Sequence, residues 1–175
     1  MEALSIIKDI TVIAGFPLGL IAAFRATKES RLKLRHQQAA EARKALDDLF
    51  GSPKARAAMQ MIDWSGRTYD DKGTAHVIAF EDLSDALRIT NLVFTDKERY
   101  IRDCFEDFFD RIQLMDHYAR IDYLHFDDLA VPISYYARVI LENLAWFEAF
   151  LDTYGYPDAK AFLRRVSATG SSNVS

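Results

Sequence analysis

Cysteine is almost missing from this sequence: Cys104 stands alone. That excludes an internal disulfide and any thiolate cluster for a metal, and it fits a reducing compartment. Glycine and proline are scarce, seven and four in 175 residues, which disfavours a loop-rich sandwich or barrel and favours long regular elements. There is no P-loop, no GxGxxG, no nucleophile elbow and no HxxxH, HExxH or ExxH spacing, so the common phosphate, dinucleotide, acyl-transfer and zinc signatures are all absent. No internal repeat is evident.

What is abundant is apolar and aromatic. Half the residues are hydrophobic and 13% are aromatic, enough for a packed core and against general disorder. Charge is unevenly placed. Between residues 25 and 44, Arg25, Lys28, Arg31, Lys33, Arg35, Arg43 and Lys44 face only Glu29 and Glu41, whereas residues 45–175 carry 22 acidic side chains against 14 basic ones. The acidic remainder argues against nucleic acid as a partner. A basic collar beside an apolar segment points to membrane lipids.

The apolar segment is Ile10–Phe24, fifteen residues without a charge. As a helix it is about 22 Å long, short of a bilayer core of about 30 Å. Beginning at Leu4 lengthens it, with Lys8 and Asp9 near one end and able to snorkel. A cleaved signal wants its basic residues before the apolar run; here they follow it. A buried core helix is the other rival. The expectation is a single-pass anchor over residues 1–25. Five basic residues, Arg25, Lys28, Arg31, Lys33 and Arg35, follow the span against one lysine before it, so the positive-inside rule places the N-terminus outside and the rest in the cytoplasm, at the inner (plasma) membrane of a bacterium. Gly15, Gly19 and Ala23 lie on one stripe, a candidate dimer face for two such helices, although Pro17 between them would bend the helix.

Beyond the anchor the expected organisation is a basic juxtamembrane helix over 26–51, a helical domain over 52–167 and a disordered tail over 168–175. Gly51 should stop the first helix, with Ser52 as N-cap and Pro53 at N1 of the next, which turns Ala57, Ala58, Met61 and Ile62 inward. "WSGRTYDDKGTAHVIAF" carries two turn signals and a strand-like end, and predicts a small hairpin or irregular loop. "EDLSDALRI" reads as a short helix. Thr95 and Glu98 form a capping box that opens a long helix with Ile101, Cys104, Phe105, Phe108, Phe109, Ile112 and Met115 on one face. A short turn helix near Phe126–Leu129 should end at Pro132. A second long helix over 134–154 would turn Val139, Ile140, Leu144, Phe147 and Leu151 inward. Gly155 should stop it, and a last short helix should run from Pro157 to Val166. The fold class is therefore mainly α: a membrane helix and basic stalk, then a small bundle with a short β-hairpin.

Two groups of side chains invite a chemical reading. Asp103, Glu106, Asp107 and Asp110 share a helix face, but Arg99, Arg102 and Arg111 are interleaved with them, as on a solvated mixed-charge face. Asp116, His117, Asp122, His125, Asp127 and Asp128 are a denser set of candidate metal ligands, without a recognised spacing. No cofactor, metal or catalytic residue is assigned.

The block "FFDRIQLMDHYARIDYLHFDDL", followed by "ISYYARVILENLAWFEAF", resembles a motif of uncharacterised bacterial proteins with one N-terminal membrane segment, a basic helix and a small helical domain. The resemblance covers about residues 96–155. Members of that family often carry a glycine in the turn, where this chain has Asp122 or Tyr123. The resemblance implies a membrane-tethered helical domain and no active-site residue. The sequence thus leads to a non-enzymatic, membrane-anchored interaction or scaffold protein that binds another protein or itself. A membrane-acting toxin or defence effector, and a metal-dependent enzyme built on the Asp116–Asp128 cluster, are the alternatives.

Overall fold

The computed structural model describes residues 2–142 and 145–171, with the side chains of 24–142 and 147–169. In order along the chain come α1 (Glu2–Gly51), α2 (Pro53–Asp63), β1 (Arg67–Asp71), β2 (Thr74–Ile78), α3 (Phe80–Ala86), α4 (Asp96–Arg120), α5 (Phe126–Glu142), α6 (Ala145–Thr153) and α7 (Pro157–Ser171). The protein is mainly helical with one two-stranded antiparallel sheet.

The chain divides into two units between Gln38 and Ala39, thirteen residues before the boundary expected at 51/52. The reason lies in the last turns of α1, where Ala42 and Leu49 are buried in the core of the second unit. Within the first unit, residues 24–37 are exposed. Among the described residues no helix is long and apolar enough to cross a membrane. The run Ile10–Phe24 and the Gly15/Gly19/Ala23 stripe lie, except for Phe24, outside the described side chains.

The second unit is built around α4, which packs against α2, α3 and α7, while α5 lies mainly on α7. Every residue of the expected α4 stripe, from Ile101 to Met115, is buried. Phe105 and Phe109 meet Phe147 of α6, Phe109 also meets Phe150 and Tyr156, and Phe108 packs edge-on against Phe109; the ring centres of Phe105 and Phe147 are 5.1 Å apart and those of Phe109 and Tyr156 are 5.7 Å apart. Each buried aromatic side chain contributes about 2–3 kcal/mol of transfer free energy, and the tilted and edge-on ring geometries suit their quadrupoles.

Local signals act as the sequence predicts. Ser52 accepts a hydrogen bond from Ala55 N, with Pro53 in the first turn of α2. Thr95 and Glu98 cap α4 reciprocally. The hairpin turns on Lys72 and Gly73, both at positive φ, with Asp71 opposite Thr74, the two-residue geometry that matches strand twist. Gly155, at φ +81°, follows α6, and Tyr156 N donates to Leu151 O, closing a Schellman motif.

One expectation is corrected. Pro132 does not break the chain into a turn helix and a later one; α5 runs through it from Phe126 to Glu142. An interior proline costs about 3 kcal/mol. Here its ring is on the exposed side, while Leu129, Ala130, Ile133, Ala137 and Ile140 bury the other face, and that burial outweighs the missing bond. The expected helix over 134–154 covers the end of α5 and all of α6; residues 143 and 144 between them lie outside the described ones. Of the tail expected at 168–175, residues 168–171 belong to the end of α7 and 172–175 lie outside the described residues. Val166 anchors the preceding turn in the core, and Thr169 Oγ1 donates to Arg165 O.

Candidate functional site

The strongest functional signal of the sequence, the basic row of α1, is fully displayed: Arg25, Lys28, Arg31, Lys33 and Arg35 are all exposed. At about 100° per residue, Arg25, Lys28, Arg31 and Arg35 fall within about a third of the helix circumference, and Lys33 lies outside that arc. Leu32 and Leu34, each about half exposed, lie on different sides. The charge is therefore one-sided apart from Lys33, while Ser30 and Gln37 keep the opposite side polar. The row does not form the polar half of a helix lying flat in a membrane surface.

The acidic face of α4 is committed to the fold. Asp103 takes Lys54 Nζ at 2.8 Å. Asp107 accepts from Ser52 Oγ at 2.5 Å and Ala55 N at 3.1 Å, and is held by Arg111 Nε at 3.0 Å. Burial works against ionisation of Asp107, but the hydrogen bonds from Arg111 and Ser52 outweigh it and hold the carboxyl below its ordinary value. These contacts tie α4 to the start of α2, a site the spacing of the aspartates could not reveal. Glu106 goes the other way: burial raises its carboxyl, against the pull of Arg102.

The Asp116–Asp128 set is scattered by the turn after α4. Asp116 is buried; its Oδ2 takes Arg120 Nε at 2.8 Å, and Oδ1 lies 3.3 Å from Arg165 Nη2 without hydrogen-bond alignment. Arg120 continues to Asp158 at 2.7 Å, so the chain of charges joins α4 to α7. His117 is exposed. His125 Nδ1 lies 3.7 Å from Asp127 and makes no hydrogen bond. Asp122 occupies a left-handed turn position at φ +56°. Among the described residues no three His, Cys, Asp or Glu side chains are grouped to hold a metal ion. Cys104 is buried, and burial pushes its thiol up to about 12, so it is protonated and unreactive at neutral pH.

Two hollows escaped the sequence reading. A cleft of about 220 Å³ lies between the end of α1 and α4, floored by Leu114 and Met115 and walled by Tyr118 and Tyr123. Its charges answer one another: Lys44 with Glu41 at 2.7 Å, and Arg111 with Asp48. A more open hollow of about 370 Å³ lies beside the hairpin, where His76 stacks on Tyr100 with ring centres 5.8 Å apart, near Asp71, Asp96, Arg99 and Asp103. Each unites residues more than twenty positions apart, so no local motif announces it.

The chain matches no protein-family model, no curated protein and no solved structure. The reading of its function therefore rests on its own residues.

Proposed function

We propose that this chain is a membrane-tethered interaction protein without catalytic activity, whose second unit faces the cytoplasm and binds another protein or a second copy of itself. The observation that carries the tether is the exposed row of cations at Arg25–Arg35 directly after the apolar run Ile10–Phe24. Exposed cations in the turns directly after an apolar run suit a helix that emerges through the headgroup layer, where each can meet anionic lipid at about 1 kcal/mol per residue. The non-enzymatic part is supported by the fate of the candidate acid–base groups: Asp103, Asp107 and Asp116 are engaged in contacts that join helices. The small residues Gly15, Gly19 and Ala23 offer a means of self-association.

Fractionation of cells expressing the full chain tests the tether. The protein should sediment with membranes and resist extraction by high salt and alkaline carbonate. Recovery in the soluble fraction would overturn the proposal. Purification in mild detergent, with identification of co-purifying proteins, then reads the partner.

A further inference from the structure

Between α3 and α4 the chain runs Ile89-Thr90-Asn91-Leu92-Val93-Phe94-Thr95, seven residues without charge. Three of its aliphatic side chains face solvent: Ile89 is 41%, Leu92 58% and Val93 82% exposed. Single exposed apolar residues need no explanation, but neighbouring ones on one short loop do.

The loop is held firmly in that outward form. Arg88 acts as its internal scaffold. Its Nε donates to Asn91 O at 2.9 Å, Nη2 donates to Val93 O at 2.6 Å, and Nη1 reaches Asp85 O and the Glu98 carboxylate. Arg99 Nη1 donates to Phe94 O at 2.8 Å. Phe94 is clasped between the guanidinium groups of Arg88 and Arg102, 4.5 and 4.4 Å from its ring centre. Asn91 takes a left-handed conformation at φ +52°. The carbonyls of Asn91, Val93 and Phe94 thus have donors from within the chain, and the donors are themselves neutralised: Arg88 by Glu98 and Arg99 by Asp96.

That combination fits one kind of surface. A segment entering a low-dielectric medium must satisfy its backbone carbonyls internally and bring no unpaired charge. A loop built for a protein partner gains from free polar groups and from Trp, Tyr or Arg anchors, and this one exposes only aliphatic side chains besides Thr90 and Asn91. We infer that the Ile89–Phe94 loop inserts shallowly into a lipid bilayer surface, with Leu92 and Val93 as the penetrating residues. The inference builds on the membrane reading above, although the loop chemistry stands apart from the tether.

The test places an environment-sensitive fluorophore at Val93→Cys, and in a second variant at Leu92→Cys, in the full chain. Cys104 is buried and stays unlabelled. Vesicles of phosphatidylethanolamine and phosphatidylglycerol are then added, with and without a lipid-borne quencher. Both labels should shift to the blue and lose emission to the quencher. A control label at Val131→Cys, 73% exposed on α5, should do neither. Labels at 92 and 93 that remain in water, or a control that responds equally, overturn the inference. Flotation of the same samples after an alkaline wash reads the tether separately, so a protein that floats while the control and the loop labels all stay unresponsive leaves the tether standing and removes the loop's role.

Discussion

The guanidinium carbon of Arg102 lies 4.4 Å from the ring centre of Phe94. The same group sits 4.6 Å from the Tyr154 ring and 5.1 Å from Phe150, and Nη1 donates to Ala86 O at 3.1 Å. A cation only 8% exposed is thereby enclosed by rings from the loop before α4 and from α6, while its donor fastens the end of α3.

Arg102→Ala should destabilise the second unit by about 3 kcal/mol, because it forfeits desolvated cation–π contacts and leaves a buried carbonyl short of its donor. Arg102→Met fills the same space without the charge and should cost only about 1 kcal/mol. Denaturant titration of the three proteins, monitored by circular dichroism, compares them. Equal losses in both variants would show that the polar contacts of the guanidinium, to Ala86 O and to the rings, carry the effect and not the space it fills.

Glu98 gives a pH dependence with a definite sign. Its carboxylate accepts from Thr95 N at 2.6 Å and pairs with Arg88. The Thr95 backbone bond first, and the Arg88 bond next, lower its pKa from 4.5 to about 2. The folded state therefore favours the ionised form. The resulting stability is fully present above about pH 4.5 and is lost as the pH falls toward 2. Glu98→Gln should lower stability near neutral pH by about 1 kcal/mol. The gap between variant and parent should close toward pH 2, as urea titrations across that range can show. A constant gap would sink the assignment.

The turn after α4 offers a stabilising change. Asp122 N donates to Ala119 O and Tyr123 N to Tyr118 O, a Schellman motif whose left-handed position is held by an aspartate at φ +56°. Non-glycine residues pay about 1 kcal/mol there. Asp122→Gly should raise the thermal midpoint by a few degrees, and an unchanged or lowered midpoint would show that the aspartate side chain repays the strain.

These residues also show what a sequence can disclose. Ser52-Pro53, Thr95 with Glu98, Lys72-Gly73 and Gly155 are local devices: each acts on backbone within a few positions, so each was readable. The α4 stripe was readable because burial imposes its period directly. Pro132 misled because its local cost is set against the distant burial of Ile133 and Ala137. The burial of Arg102, the scaffold formed by Arg88 and the cleft at Tyr123 depend on partners brought in by tertiary packing. In the sequence, Arg88 and Arg102 look like any surface cations. The basic collar was legible as a charge count; the gathering of four of its five cations on one side emerges only with helical geometry.

Asp107 carries one more implication. The start of α2 is satisfied partly by its own Ser52 and partly by a carboxylate 52 residues further along the chain than Ala55. A helix of eleven residues is too short to persist alone in water, so its first turn is completed only when α4 docks. The amide of Ala55 thus reports on assembly rather than on helix formation: its protection from hydrogen exchange should vanish together with that of the α4 core, making the beginning of α2 and the middle of α4 a single cooperative folding unit despite their separation in sequence.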